Sequence, residues 1–121
     1  MSSSKNQSFL VRLGFAAAGI LAALRSEHSL RWQILALFGV LIVLLIFQPG
    51  ALWYALVALT SAGVIAAELF NTAIEHLADH LHPEVHPSIK IVKDCAAGAV
   101  LIASLGALGV AASLAVHLLQ R

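Results

Sequence analysis

Three long apolar stretches, Gln33 to Phe47, Ala51 to Ala67 and Cys95 to Leu119, constrain this chain more than any other feature. Coiled as helices at 1.5 Å per residue, with their flanking residues, they reach roughly 25 to 38 Å, enough to cross the hydrocarbon core of a bilayer. Composition agrees: 60% of the residues are hydrophobic, 11% are charged and the mean hydropathy is +0.93. A soluble domain carries far more charge. Seven Lys and Arg against six Asp and Glu leave a net charge of +1, no basic excess to neutralise a run of phosphates, which argues against a nucleic-acid partner. The single cysteine, Cys95, closes no intramolecular disulfide and is too little for a thiolate metal site; it reads as a small apolar helix residue. At 121 residues the chain is one domain, residues 1–121, and any activity must sit on the membrane helices or at their ends.

The pattern along the chain predicts an all-α membrane protein with an N-terminal interfacial amphipathic helix and three transmembrane helices. Residues 1–8 are polar and Ser-rich and are expected to be a disordered tail. Over 9–26, Leu10, Leu13, Ala17, Ile20, Leu21 and Leu24 recur at helical spacing with Ser8, Arg12 and Arg25 as polar ends, which predicts a surface helix. A secretory signal peptide is the rival reading of this segment, with Lys5 and Arg12 as its charged region and Leu13 to Leu24 as its apolar region. Cleavage at Ala22 or Ala23 would discard a segment followed at once by Arg25, Glu27 and Arg31 and then by further spans, so the surface helix is preferred.

The first span is expected over 32–48. Gln48, Pro49 and Gly50 then form a tight turn, because Pro lacks a donor N–H and Gly tolerates positive φ. The second helix, 51–79, carries Trp53 and Tyr54 where an interfacial aromatic belt lies and runs on past Ala67 with its acids. His80 to Pro87 is the one true loop, and the third helix is expected over 88–119. Its Gly98, Ala99, Ala103, Gly106 and Gly109 give small-xxx-small spacings, whose physical use in lipid is close helix contact. Lys5, Arg12, Arg25 and Arg31 before the first span, and Lys90 and Lys93 before the third, leave only Arg121 for the far side. The N-terminus and the His80 to Asp94 segment should therefore face the cytoplasm.

The acids collect on that side. Glu27, Glu68, Glu75, Asp79 and Asp94 fall at helix ends and Glu84 in the loop. At about 100° per residue, Glu68, Asn71, Glu75 and Asp79 lie near 0°, −60°, −20° and +20°, one narrow stripe. For Asp79 and Glu75 a solvated helix face would explain the stripe as well. Glu68 follows seventeen apolar residues, where an unpaired carboxylate costs a few kcal/mol, and reads as functional. Carboxylates without thiolates suit Mg²⁺, a hard cation usually shared with substrate phosphates. Lys93, with Arg25 or Arg31, could face those phosphates, although no Gly-rich phosphate loop is present. A competing constellation is His76, His80, His82 and His86, which could bind a transition metal in a non-enzymatic membrane protein. A conduit is disfavoured because the spans hold almost no polar residues, and a lipid phosphatase because Glu outnumbers Arg at the site.

The string AAELFNTAIEHLADHLHPEVHPSIKIVKDCAAGAVLIA resembles the signature of the prokaryotic diacylglycerol kinase family, small integral-membrane lipid kinases. The matching elements are Glu68, Asn71-Thr72-Ala73-Ile74-Glu75 and Asp79, then His86-Pro87, then Lys93-Asp94 with Ala96-Ala97-Gly98-Ala99-Val100. Upstream, Phe15, Gly19-Ile20 and Ala23 to Glu27 with Arg31 look like the family's N-terminal segment. The resemblance implies a homotrimer with composite active sites in the bacterial cytoplasmic (inner) membrane. It implies transfer of the γ-phosphate of ATP to a lipid alcohol, with Mg²⁺ as cofactor. By resemblance Glu68 is the general base and Glu27 and Glu75 hold the metal. Phe15, Glu27, Asn71, Glu75, Asp79, Glu84, His86, Lys93 and Asp94 meet the nucleotide, and Arg31, Trp32, Glu68 and Ala97 the lipid. The chain departs from the family pattern at Ala18 and Ala22, where many members carry Lys or Arg, at Ser29, where one branch has Asn, and at Phe15, where Tyr is frequent. The family divides by acceptor between diacylglycerol and undecaprenol, and both stay open here.

Overall fold

The computed structural model describes residues 7–121; the expected tail residues 1–6, Lys5 among them, lie outside the described residues. Four helices follow one another: α1 (Phe9–Ser26), α2 (His28–Phe47), α3 (Ala51–Leu81) and α4 (Pro87–Leu119). All four are long and apolar enough to cross a membrane. By length and composition α1 is thus not set apart from the others, and between Ser8 and Arg25 its only charged side chain is Arg12.

Local chemistry sets the boundaries. Ser8, in extended conformation, accepts a hydrogen bond from the Val11 N–H at 3.4 Å and starts α1. The first long span begins at His28, four residues before the expected start at 32, because nothing between His28 and Trp32 breaks a helix. One extended residue, Glu27, separates α1 from α2; its N–H still bonds the Ala23 carbonyl at 2.9 Å. At the other end of α2, Gln48 takes the left-handed conformation (φ 46°) and its N–H closes on the Leu44 carbonyl at 2.8 Å. Gly50, at φ 122°, then reverses the chain into α3, a conformation open in practice only to glycine. His86 caps α4, its Nδ1 accepting from the Ser88 N–H at 3.1 Å, with Pro87 at the first helical position, where a missing N–H costs nothing.

Helices α3 and α4 form an antiparallel hairpin. The Trp53 and His117 rings lie 5.3 Å apart near its turn-distal end, Leu44, Val57 and Leu114 pack into a core cluster beside them, and Asp79 pairs with Lys93 near the loop. These pairs share one register, so α4 presents Ala96, Val100, Ala103 and Ala107 inward, and these are buried or half-buried. The glycines behave otherwise than expected: Gly106 and Gly109 are exposed, and a Cβ built on any glycine meets nothing within 4 Å. Alanine, not glycine, therefore sets the α3–α4 approach. Helix α2 is tied in at the Arg121 end, where Tyr54 Oη donates to the Leu44 carbonyl (2.8 Å) and Arg121 Nη1 to the Phe47 carbonyl (2.5 Å).

Buried apolar side chains are few: Ala23, Leu30, Leu44, Val57, Val64, Ala78, Ala96 and Leu114. Large apolar side chains lie exposed along all four helices, among them Phe38, Leu59, Ile102 and Leu108. Water would not tolerate so much apolar surface; lipid does. Two aliphatic hydroxyls inside the spans bond their own helix, Thr60 to the Leu56 carbonyl and Ser113 to the Gly109 carbonyl, both at 2.8 Å.

Candidate active site

The antiparallel arrangement gathers the start of α2, the acidic end of α3 and the start of α4 at one end of the bundle. The stripe on α3 is graded there by burial. Glu68 is only 3% exposed, Asn71 and Glu75 are half-buried, and Asp79 is exposed. A helix leaving an apolar layer for water produces this gradient, with the innermost acid the most dependent on a partner.

Glu68 has such a partner in a residue that sequence reading had placed only at the edge of a span. Gln33, in the second turn of α2, donates from Nε2 to Glu68 Oε1 at 2.8 Å. One turn beyond Glu68, the also buried Thr72 (7% exposed) adds a hydroxyl. Among the described residues, Gln33 Oε1, Asn71 Oδ1 and Thr72 Oγ1 are buried without a hydrogen-bond partner. Orphaned buried oxygens cost about 1 to 3 kcal/mol each, and two of these three can only accept. They suit a hydroxyl, a water or a cation arriving from outside the chain.

Gln33 also lines an apolar groove of about 300 Å³ between α2, α3 and α4, with Leu37, Val40, Val64, Ala107 and Leu108 among its walls. The groove and the buried carboxylate therefore meet at one side chain.

The remaining sequence-predicted residues divide. Asp79 and Lys93 come together across the hairpin, and Asn71 Nδ2 leans toward Glu75 Oε1 at 3.5 Å. Asp94 turns instead to Lys90 on its own helix, and Arg31 to His28, its Nη2 lying 2.7 Å from Nδ1. His86 spends Nδ1 on its helix cap, and its ring lies 5.3 Å from that of His82. Glu84 is exposed in the loop, Phe15 and Trp32 are exposed on α1 and α2, and Ala97 is exposed on α4. Glu27, half-buried, is the joint between α1 and α2. Cys95 is exposed and free.

Among the described residues no three His, Cys, Asp or Glu side chains converge on a point that could hold a metal. The four histidines are thus not gathered into a site. For a hard divalent ion the donor set fits differently: Glu27, Glu75 and the orphaned Asn71 oxygen are all oxygen ligands, suited to an ion that brings most of its shell as water and phosphate.

Compared with known proteins, the chain matches the prokaryotic diacylglycerol kinase family over residues 14–115, a stretch that contains every candidate residue from Phe15 to Ala97. A diacylglycerol kinase of Synechocystis sp. is 36% identical over 99 residues, 81% of this chain; the chain spans 57% of that relative's length. An undecaprenol kinase of Bacillus subtilis (strain 168) is 34% identical over 87 residues, 72% of this chain and 71% of the relative.

Proposed function

Because this chain belongs to the prokaryotic diacylglycerol kinase family, we propose that it is a membrane lipid kinase that transfers the γ-phosphate of Mg-ATP to the hydroxyl of a lipid alcohol. The placement of Glu68 carries this reading: a buried carboxylate at the end of an apolar stretch, joined through Gln33 to an open apolar groove. A lipid lying in that groove brings its hydroxyl to the carboxylate without leaving the bilayer.

In the reaction the lipid oxygen attacks the γ-phosphorus, an O–P bond forms, the bond to the bridging oxygen breaks and ADP leaves. Glu68 takes the hydroxyl proton. Bound Mg²⁺ supplies neutralising charge over the phosphates, and Glu27 and Glu75 are the residues that would hold it, with Asn71 beside them. Lys93, paired with Asp79 across the hairpin, would exchange that partner for a phosphate, and Phe15, Glu84, His86 and Asp94 complete the nucleotide side. Arg31, Trp32 and Ala97 border the lipid. The same reading places the protein in the bacterial cytoplasmic membrane with the Glu68 end inward, matching the Lys and Arg bias. The exposed glycines Gly106 and Gly109 of α4 leave a face open for helix contact between copies of the chain, and the family resemblance makes that assembly a homotrimer.

One relative is named for diacylglycerol and the other for undecaprenol, at nearly equal identity, so the acceptor is a matter for assay. ATP consumption in mixed micelles containing Mg²⁺ should depend on one of the two lipids and vanish in Glu68→Gln with nucleotide binding kept. Full activity of Glu68→Gln would remove the base assignment. Absence of turnover with either lipid, in folded protein, would remove the kinase reading.

A further inference from the structure

We propose that Gln33 is a positioning residue that orients the Glu68 carboxylate toward the lipid hydroxyl. The inference rests on the reading of Glu68 as base and adds what holds that base in place. Three observations converge on it. The Gln33 amide donates to Glu68 Oε1 at 2.8 Å, among the described residues the one hydrogen bond that ties this buried carboxylate to another helix. The two residues are 35 apart in sequence, so the bond spans α2 and α3 and is not a by-product of helical proximity. Gln33 also lines the apolar groove, so it stands where a lipid's hydroxyl end would arrive.

The chemistry favours a neutral amide in this position. A carboxylate with one oxygen held by a donor presents the other oxygen in a defined direction, and proton abstraction depends on that geometry. A lysine or arginine in its place would orient the carboxylate but also hold it in its charged form, opposing proton uptake. An aliphatic residue would leave it to rotate.

The test compares Gln33→Met, similar in length but without an amide, with Gln33→Asn, which retains one, in folded protein with the acceptor lipid that supports turnover. Gln33→Met should lower kcat on the order of tenfold with KM for Mg-ATP unchanged, and Gln33→Asn should recover part of the loss. The Glu68 carboxylate stretching band, identified in infrared difference spectra by its absence from Glu68→Gln, should shift in Gln33→Met. Unchanged kcat, a rise in lipid KM alone, or an unmoved band would each overturn the positioning role. Glu68→Gln is assayed first: if it is active, the base reading itself fails, whereas an inactive Glu68→Gln beside a fully active Gln33→Met rejects only the role of Gln33.

Discussion

At the scale of single residues, burial grades the acids. Glu68 is shut away from water while Glu75 and Glu27 stand half-exposed, where an ion with its own water shell can reach them. Replacing either by Gln should raise KM for Mg-ATP by about tenfold while leaving the lipid KM within twofold, measured by steady-state assay at varied nucleotide and fixed Mg²⁺ excess. Asp79 is exposed and Lys93 half-buried, so the pair is partly screened by solvent and Asp79→Asn should change stability by less than about 1 kcal/mol in detergent unfolding. Glu68 was legible because a carboxylate closing an apolar run has few structural excuses. Gln33 was not, because a polar residue opening a span looks like a boundary marker until the neighbouring helix is in place. The available signal was weak: it is the first residue of an otherwise apolar fifteen-residue run from Gln33 to Phe47.

Among the elements, the turns are where sequence chemistry acts most directly. Gly50 holds φ 122° and Gln48 φ 46°, back to back around Pro49. Gly50→Ala should destabilise the folded protein by about 1 to 3 kcal/mol, whereas Gln48→Gly should be neutral or stabilising by up to about 1 kcal/mol, both read as shifts in thermal unfolding in detergent. Helix α2 starts earlier than its apolar run because hydropathy marks where lipid begins, not where the backbone coils. The segment from His28 to Trp32 is helical through the absence of a breaker, and Glu27 alone interrupts a path from Phe9 to Phe47. That places a site residue of the resemblance at the one joint between α1 and α2, a consequence invisible to periodicity. The glycines of α4 were legible as small residues but not as to which face they would occupy, since α3 takes the alanine face and leaves Gly106 and Gly109 outward.

For the whole molecule, the hairpin register puts Cys95, exposed, at the same end as Asp79 and Lys93. A membrane-impermeant maleimide should therefore label Cys95 in inside-out vesicles and not in intact spheroplasts; the reverse pattern would invert the proposed orientation. Gly109→Leu should leave the hairpin folded, because the added side chain meets nothing within 4 Å, yet reduce self-association measured by light scattering after size exclusion. From sequence alone came the helical class, the long spans, the Pro49-Gly50 reversal, the continuation of the second helix past its apolar run and the acid stripe. Each of these follows from properties of neighbouring residues: apolar length, φ preference and a 3.6-residue repeat. The Gln33–Glu68 bond, the orphaned oxygens beside it, the groove that leads to it and the face by which α4 meets α3 were decided only by tertiary structure. They depend on the rotation and register of helices distant in sequence, and in an apolar medium those are selected by side-chain packing and hydrogen bonding rather than by hydrophobicity, the one signal a membrane sequence carries in abundance.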